Sequence, residues 1–509
     1  MLSLPGHGVF LSSLLKKERI TAPEEIFVCS CSTNPEDFLH KGLFVCLARP
    51  EEKIISEVSM AVEHGAEVVI VRSGCQASVQ ENFPDALVLE AADPRVIYGK
   101  ICQEFYGNPA GKLKLIAVTG TSGKTSLSYV IAGILAEAGY PVGLIGTLGV
   151  YDGQTLTPCS ETTPDPERMA ELLAKMVENE CTHAIIEVSS VAIEKRWLSG
   201  LLFDAVCLTN IRRDHLDYHR TVDQYRRTKM QIFKYLKKDA IAICNLDDRV
   251  SDAVLHLIDC PTMTVGMYPT ECMVSGMLVE QSISNQVFYI FAGTDAVPVH
   301  THIIGNEHIY NCLLATALGI SWDIDLKTVV RGIERVEHIP GRFEQIDCGQ
   351  PFGVFVDNAN TSESLMAVLK TIRSVTPGKV YCVVSAPNDN DRSKRPLMGR
   401  TAESLCDVTV VTQNSQAADE MKSGIKGREE DNAMSDLIHG VEFPENIVKC
   451  QNRREAIVWA LSNADADDTV LIISSDNAIQ NTGNNRIADR QFVRQWLYEN
   501  QPCVDTFWD

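Results

Sequence analysis

The run from Thr119 to Ser126 has the composition of a phosphate-binding loop. It follows an apolar, strand-like segment from Leu115 to Val118 and precedes a helix-like one from Leu127 to Ala138. In this context the glycines let backbone N–H groups approach phosphate oxygens, and the helix N-terminus adds positive potential. Lys124 can neutralise phosphate charge, and the Thr125 hydroxyl can ligate Mg²⁺. The sequence therefore predicts a nucleoside triphosphate site at Gly120, Thr121, Ser122, Gly123, Lys124, Thr125 and Ser126.

Two further segments place polar side chains where strand-like runs end. Glu187 interrupts the apolar run from Ala184 to Val188, and the segment from Asn210 to His219 packs acidic, basic and imidazole groups after another apolar run. The alternative interpretations are a solvated charge at a sheet edge and a helix start capped by Asp214. Active-site residues of parallel sheets gather at the carboxyl ends of strands, and oxygen ligands suit Mg²⁺. We therefore predict a phosphate and Mg²⁺ site formed by Thr125, Glu187, His215 and Lys229.

The composition restricts the class of protein. A chain of 509 residues, 45% apolar and 22% charged, is typical of a soluble protein with about three domains. A net charge of −21 excludes nucleic acid as a partner and requires local Lys and Arg clusters for any anionic substrate. The 17 cysteines form no CxxC pairs, which favours reduced thiols over disulfides or zinc ligands. Because apolar runs are short and the first residues lack the basic region of a secretory signal, we expect a cytoplasmic protein without a membrane span.

Alternating strand-like and helix-like runs predict an α/β fold of three domains. Residues 1–110 are expected to form a small N-terminal α/β domain, which ends in the turn-forming cluster from Gly107 to Gly111. Residues 111–335 are expected to form a central domain like a P-loop ATPase, with a mostly parallel sheet and a strand-rich insertion at 262–304. Residues 336–509 alternate strand and helix again, as in a Rossmann-like domain.

Five motifs of the central segment occur in the order and spacing of the Mur ligase family, which the chain resembles. The phosphate-binding loop is the short GTxGK[ST] variant, because Val118 stands where the longer pattern has its first glycine. The resemblance is strongest to the MurE-type branch, the tripeptide synthetases that extend UDP-N-acetylmuramoyl-L-alanyl-D-glutamate, and it runs from about residue 111 to 500. The other matching motifs are Thr162-Thr163-Pro164, Glu187-Val188-Ser189-Ser190, Thr209 to His219, Tyr225…Lys229…Phe233, Pro340 to Glu344 and Lys394 to Gly399.

The resemblance implies that ATP phosphorylates a substrate carboxylate, and that an amine then attacks the acyl phosphate to form an amide. Lys124 and Mg²⁺ would neutralise charge as the phosphoryl group moves, while Thr125 and Glu187 hold one metal and His215 a second. The resemblance also implies that Lys229 is carbamylated, which converts a cation into an oxygen ligand for metal. Without the resemblance, the sequence around Lys229 predicts an ordinary surface residue on a helix.

The resemblance also implies contacts to two substrates. Contacts to the UDP-N-acetylmuramoyl dipeptide match Thr162, Thr163, Ser189 and Arg196. Contacts to ATP match Asn311, Arg342 and Asp357, the last two from the C-terminal domain. Trp197 occupies the position of the family's arginine, so Arg196 acts from one place earlier, and His308 stands where the family has its first asparagine. The N-terminal domain would bind the UDP-sugar, and a monomer is expected, although the sequence does not determine the oligomeric state.

The segments that receive the incoming amino acid in the family differ in this chain. Asn390 replaces the arginine that pairs with the amino acid's carboxylate, which removes a bidentate charged contact. The two other segments read Asn414-Ser415-Gln416-Ala417 and Ser475-Asp476-Asn477-Ala478. Three functions stay open: an active muramoyl-peptide ligase, a non-enzymatic paralogue that binds ATP or the UDP-sugar in a regulatory role, and a folylpolyglutamate-type ligase. The identity of the added amino acid is also open.

Overall fold

The computed structural model describes residues 2–3, 8–23, 25–38, 41–256, 258–267, 272–387, 391–413, 431–474 and 488–500. Within these residues three main sheets form, and each is built from a separate stretch of the chain. Helices alternate with the strands, which confirms the predicted α/β fold class. Every helix in the described parts of the chain is too short or too polar to span a bilayer. No disulfide forms between the described cysteines.

The first stretch forms a five-stranded sheet. Its elements in chain order are β1 (Leu2–Ser3), β2 (Val9–Phe10), α1 (Ser12–Lys17), β3 (Phe27–Val28), β4 (Ser30–Ser32), β5 (Gly42–Val45), α2 (Glu51–Glu63), β6 (Ala66–Arg72), α3 (Gln76–Asn82), β7 (Leu87–Ala91) and α4 (Pro94–Phe105). The strand order is β1-β4-β5-β6-β7, with parallel pairing from β4 to β7, while β2 and β3 form a separate hairpin-like pair. Asp93 caps α4 by accepting a hydrogen bond from the backbone N–H of Arg95 at 3.2 Å.

The second stretch forms an eleven-stranded sheet. Its elements are β8 (Lys114–Thr119), α5 (Lys124–Glu137), β9 (Val142–Gly146), β10 (Gly149–Tyr151), β11 (Leu156–Thr157), α6 (Pro166–Glu178), β12 (His183–Val188), α7 (Ser190–Glu194), β13 (Phe203–Leu208), α8 (Leu216–His219), α9 (Val222–Met230), β14 (Leu236–Asn245), α10 (Ser251–Leu255), β15 (Thr262–Gly266), β16 (Val274–Gln281), β17 (Gln286–Ala292), β18 (Asp295–Thr301), α11 (Asn306–Ser321) and α12 (Leu326–Glu334). The strand order is β11-β10-β9-β12-β8-β13-β14-β15-β16-β17-β18. The predicted strand-rich segment forms β15 to β18, which extend this sheet at one edge.

The strand before the phosphate-binding loop is buried on both faces. Ile116 and Val118 pack into one core with α5 and α11, whereas Leu115 and Ala117 pack into another with α6. Because both faces of such a strand are covered by helices, its sequence is a continuous apolar run and does not alternate with polar residues. The strands β12 and β13 pair with β8 on either side, so their carboxyl ends meet at the loop.

The third stretch forms a six-stranded sheet. Its elements are β19 (Glu344–Gln345), β20 (Gly353–Asp357), α13 (Ser362–Val375), β21 (Val380–Ser385), α14 (Arg395–Leu405), β22 (Val408–Thr412), α15 (Asp431–Ile438), β23 (Val448–Cys450), α16 (Arg453–Asn463), β24 (Thr469–Ile473) and α17 (Asp489–Asn500). The order is β19-β20-β24-β21-β22-β23, parallel from β20 to β23. The domain boundaries at residues 110 and 335 stay a prediction, and each lies between two of the three sheets.

Candidate active site

The loop between β8 and α5 wraps around the amine of Lys124. Lys124 Nζ donates to the backbone carbonyls of Gly120 at 3.0 Å and Thr121 at 3.1 Å. Gly123, the residue directly before α5, has a φ of 85°, and a Cβ there would lie 3.0 Å from Asn311 Oδ1, so this position requires glycine. Burial lowers the pKa of Lys124, although nearby Glu187 opposes this shift. A phosphate bound in the loop would replace the carbonyls of Gly120 and Thr121 as the hydrogen-bond partner of the Lys124 amine.

Glu187 receives two hydroxyl donors on one carboxylate oxygen. Thr125 Oγ1 donates to Glu187 Oε2 at 3.0 Å and Thr147 Oγ1 donates to the same oxygen at 2.9 Å. The other oxygen, Oε1, is buried and has no hydrogen-bond partner among the described residues. Burial raises the pKa of Glu187, while Lys124 and Arg342 act in the opposite direction. A buried carboxylate oxygen without a donor, next to a hydroxyl, fits a hard cation.

The two adjacent threonines of the predicted substrate turn differ in orientation. Thr162 lines the central cavity and shares a hydrogen bond of 3.1 Å with Thr147. Thr163 is buried, and its hydroxyl donates to the backbone carbonyl of Glu187 at 2.8 Å. The backbone N–H of Ser189 donates to Thr163 Oγ1 at 2.9 Å, and Ser189 itself lines the cavity. Thr163 therefore positions its neighbours and does not face the cavity.

Lys229 lies in the protein interior on α9, so its interpretation as a surface helix residue is wrong. Its side chain is only 2% exposed, and Nζ donates to the backbone carbonyl of Gly120 at 2.8 Å. The amine lies 5.2 Å from the centre of the Tyr225 ring. Burial lowers the pKa of Lys229 well below its ordinary value, and Lys124 adds to the shift. A buried amine held neutral is a nucleophile, which is the form that reacts with carbon dioxide.

His215 is held by the carboxylate of Asp214, directly before it in the chain. The backbone N–H of His215 donates to Asp214 Oδ1 at 2.9 Å, and His215 Nε2 lies 3.5 Å from Asp214 Oδ2. His215 has a left-handed φ of 51° and lines the cavity. Burial lowers the pKa of His215, and Asp214 opposes the shift. A neutral imidazole can ligate metal, whereas an imidazolium cannot.

A cavity of about 380 Å³ brings most of the predicted residues together. The predicted residues that line it are Thr121, Ser122, Gly123, Lys124, Thr125, Ser126, Thr162, Ser189, His215, Lys229, Asn311, Arg342 and Asp357. Arg342 crosses from the third stretch and donates to Thr125 Oγ1 at 3.4 Å. Burial raises the pKa of Asp357, which accepts a hydrogen bond from Phe343 N at 2.7 Å. Side chains from the second and third stretches therefore face one space.

Four predicted site residues do not line this cavity: Gly120, Thr163, Glu187 and Arg196. Gly120, Thr163 and Glu187 contact residues that line it, whereas Arg196 has its partners elsewhere. It donates to Gln231 Oε1 at 3.3 Å, and its Nε lies 4.0 Å from Asp93 Oδ2. Its surroundings are therefore shared between the central stretch and the N-terminal one. A role in binding the muramoyl substrate stays a prediction.

Several residues around the cavity carried no assignment from the sequence. Thr147 follows β9 in a turn without a motif, so nothing in the sequence pointed to its bond with Glu187. Asp214 precedes His215 in the same motif, which was a usable signal for a role beyond helix capping. Arg212 Nη2 lies 3.0 Å from Glu307 Oε1, and both side chains line the cavity.

Among the described residues, no group of three or more His, Cys, Asp or Glu side chains comes together as a metal site. A cation at Glu187 or at His215 therefore needs hydroxyl, phosphate or carbamate oxygens as further ligands. The altered amino-acid-binding segments, Asn388 to Asn390, Asn414 to Ala417 and Ser475 to Ala478, lie outside the described residues.

Comparison with known proteins places this site in a family. Residues 118–319 match the Mur ligase middle domain, and residues 341–476 match the Mur ligase, glutamate ligase domain. The UDP-N-acetylmuramoyl-L-alanyl-D-glutamate--2,6-diaminopimelate ligase of Bacillus cereus is 30% identical over 470 residues, which cover 91% of this chain and 92% of that protein. The chain belongs to the Mur ligase family, whose members are ATP-dependent ligases.

Solved structures share the fold. A UDP-N-acetylmuramoyl-L-alanyl-D-glutamate--2,6-diaminopimelate ligase superposes with a TM-score of 0.64 and 22% identity, over 93% of this chain and 95% of that chain. The MurF ligase from Thermotoga maritima in complex with ADP superposes with a TM-score of 0.60 and 14% identity, over 92% of this chain and 97% of that chain. The three-sheet architecture is thus that of the Mur ligases along nearly its whole length.

Proposed function

We propose that this chain uses ATP to join an amino acid to UDP-N-acetylmuramoyl-L-alanyl-D-glutamate through an acyl phosphate, a step of peptidoglycan precursor synthesis. The observation that carries the proposal is that one cavity is lined by Lys124, Thr125, His215, Lys229 and Arg342. Thr125 also donates a hydrogen bond to Glu187. Membership of the family gives the reaction class, and the Bacillus cereus relative named for this muramoyl substrate supports the branch.

The chain's own groups suit phosphoryl transfer from ATP to a carboxylate. Backbone N–H groups at the start of α5 would bind phosphate oxygens, while those of Thr121 and Ser122 donate to Asn210 and hold the loop in shape. Lys124 would offset charge that builds on the phosphates. Arg342 adds a second cation from the third stretch, within 3.4 Å of Thr125. Asn311 borders Gly123 on the side of the loop where α11 begins, which suits a contact to the base. These contacts stabilise charge in the transition state and hold the two reactants together.

The residues present fit Mg²⁺ at Glu187. Glu187 Oε1, which has no hydrogen-bond partner among the described residues, and the hydroxyl of Thr125 would offer oxygen ligands. Phosphate oxygens would complete the coordination of the ion. Mg²⁺ bound there supplies further charge neutralisation on the phosphates. His215 lines the cavity and offers a ring nitrogen, and a carbamate on Lys229 would add an anionic oxygen ligand.

The N-terminal stretch offers a separate anion site for the diphosphate of the UDP-sugar. A cavity of about 210 Å³ is lined by three arginines, Arg49, Arg72 and Arg95, in a chain whose net charge is −21. Arg95 is paired with Asp93 at 2.7 Å, whereas Arg72 Nε is buried without a partner among the described residues. Guanidinium groups bind phosphates bidentately, so this cavity suits a diphosphate. We propose with it the division into domains at 1–110, 111–335 and 336–509.

We infer a cytoplasmic location as well. The nucleotide-linked substrates belong to that compartment under the proposed function, and the described cysteines form no disulfide.

The experiment that tests the proposal separates carboxylate activation from amino acid transfer. The purified chain is incubated with ATP, Mg²⁺, the UDP-muramoyl dipeptide and hydroxylamine, which intercepts an acyl phosphate as a hydroxamate. Hydroxamate and ADP in equal amounts are expected, and neither is expected from Lys124→Met. Absence of hydroxamate with the dipeptide would favour a non-enzymatic paralogue. Hydroxamate formed from a folyl glutamate instead would favour the folylpolyglutamate-type ligase.

A further inference from the structure

Two segments about 180 residues apart dock against each other beside the cavity. Arg213 Nη2 donates to Ser393 Oγ at 3.1 Å, and the backbone N–H of Leu216 donates to Asp391 Oδ2 at 3.3 Å. Lys394 Nζ lies 3.2 Å from Asp214 Oδ1. The segment 391–394 follows β21 and leads into α14 of the third stretch. We call these three contacts the 213–216/391–394 contact.

The ion pair in this contact is buried. The side chain of Asp214 is 3% exposed and that of Lys394 is 5% exposed. An exposed pair contributes little, but removal of one partner from a buried pair leaves an uncompensated charge in a medium of low polarity. The carboxylate and the amine lie 3.2 Å apart in these surroundings, so each group depends on the other for its partner.

The same carboxylate links Lys394 to His215. Asp214 Oδ1 accepts from the backbone N–H of His215 at 2.9 Å and also faces Lys394 Nζ at 3.2 Å. Asp214 Oδ2 lies 3.5 Å from the ring nitrogen Nε2 of His215. Lys394 does not line the cavity, whereas Asp214 and His215 do. Lys394 can thus influence the cavity through Asp214.

We propose that Lys394 is a positioning residue, whose ion pair with Asp214 holds the segment 391–394 on the phosphate-binding side and fixes His215 in the cavity. The kinetic part of this inference rests on the proposed function, whereas the docking does not. When the third stretch withdraws, Asp214 loses Lys394, the amine that lies 3.2 Å from its carboxylate. His215 therefore keeps its orientation only while the 213–216/391–394 contact is formed.

The experiment combines hydrogen exchange with kinetics on three single variants and one double variant. The amide of Leu216 reports docking, because its N–H donates to Asp391 across the contact. We expect Lys394→Met to exchange this amide about tenfold faster. We expect kcat to fall about 10- to 100-fold, with a smaller change in KM for ATP. Lys394→Arg keeps the charge and should restore both, and Lys449→Met, an exposed lysine on β23, should change neither.

The amides of β8 distinguish loss of docking from unfolding. If Lys394→Met also loses protection in β8, the variant is partly unfolded, and the double variant Asp214→Asn/Lys394→Met replaces it in the test. The double variant has no unpaired buried carboxylate at position 214. Restored β8 protection with low kcat supports the proposal, and normal kcat overturns it. Unchanged Leu216 exchange in a folded Lys394→Met variant also overturns it. Exchange is measured with ATP alone, so a wild-type chain that makes no product refutes the proposed function and leaves the docking result valid.

Discussion

Glu187 and Thr125 are 62 residues apart in sequence, yet the Thr125 hydroxyl donates to Glu187 Oε2 at 3.0 Å. The parallel pairing of β12 with β8 sets Glu187 opposite Val118, which places its carboxylate beside the start of α5. Thr147 donates to the same oxygen, so Oε1 is left buried and without a donor. One carboxylate oxygen is thus fixed by two hydroxyls, whereas the other has no donor among the described residues.

Replacing Glu187 by glutamine should weaken the response to Mg²⁺. The amide oxygen can still accept from Thr125, but the negative charge that attracts a cation is lost. We expect turnover to fall by at least about 10- to 100-fold and half-saturation to need more Mg²⁺. The measurement is a Mg²⁺ titration of ADP release, with Glu178→Gln, an exposed acid on α6, as the control. An unchanged Mg²⁺ curve for Glu187→Gln would show that the carboxylate does not serve the cation.

Replacing Lys124 by methionine should abolish turnover while the fold persists. The side chain keeps similar bulk but loses the charge that offsets the phosphates, and removal of one such group costs about 100- to 1000-fold in kcat. Lys112→Met, an exposed lysine before β8, is the matched control. ADP release and circular dichroism are measured together. Turnover of Lys124→Met at the wild-type rate would contradict the role of this amine.

Lys229 should carry a carbamate when carbon dioxide is present. Its buried, neutral amine can attack the carbon of carbon dioxide and release one proton, which leaves an anionic carbamate. Protein equilibrated with ¹³C-labelled bicarbonate should show a carbamate carbon signal by NMR, and removal of bicarbonate should lower turnover. Lys229→Arg should show neither effect. A wild-type spectrum without the signal, in an active preparation, would refute the carbamate.

How far the sequence predicted this site depends on how local each contact is. The loop, its strand and its helix were predictable, because glycine, lysine and threonine act within one turn of the chain. The burial of Lys229 was not, since a polar helix such as α9 places the lysine inside only when Tyr225 and the loop cover it. Neither could the sequence separate Thr162 from Thr163, which lie between β11 and α6 and contact different partners, Thr147 and the backbone of Glu187.

Contacts between distant segments were the least predictable. Nothing in the spacing of Asp214 and Lys394 indicates that they pair, because the pair forms only when the second and third sheets meet. The parallel sheets themselves were predictable from buried apolar runs such as β8, which need helices on both faces. The segment that forms β15 to β18 was predicted to be rich in strands. The sequence did not predict that these strands pair with β14 and extend the central sheet.

Stability of the central sheet should fall with acid because of His183. Burial lowers the pKa of His183 from 6.5 to about 4, and Lys114 adds to the shift. Between these values the unfolded chain binds a proton that the folded chain does not, so stability present above pH 6.5 is lost as the pH falls. His183→Phe keeps the ring packing against Tyr140 and Trp322 but cannot be protonated.

We expect the free energy of unfolding of the wild type to drop by about 2 kcal/mol more than that of His183→Phe between about pH 7.5 and about pH 5. Urea unfolding at the two pH values, followed by tryptophan fluorescence, provides the comparison. The exposed His64→Phe should keep the wild-type dependence. Equal losses in wild type and His183→Phe would mean that this histidine is not held neutral.

The most direct test of the central claim is the mass of the product. The purified chain is supplied with ATP, Mg²⁺ and UDP-N-acetylmuramoyl-L-alanyl-D-glutamate, together with a panel of amino acids one at a time, and the nucleotide-linked products are analysed by mass spectrometry. The account predicts, with at least one amino acid, a product heavier by that amino acid less one water, formed with one ADP per bond and absent with Lys124→Met. No heavier product with any amino acid would contradict it.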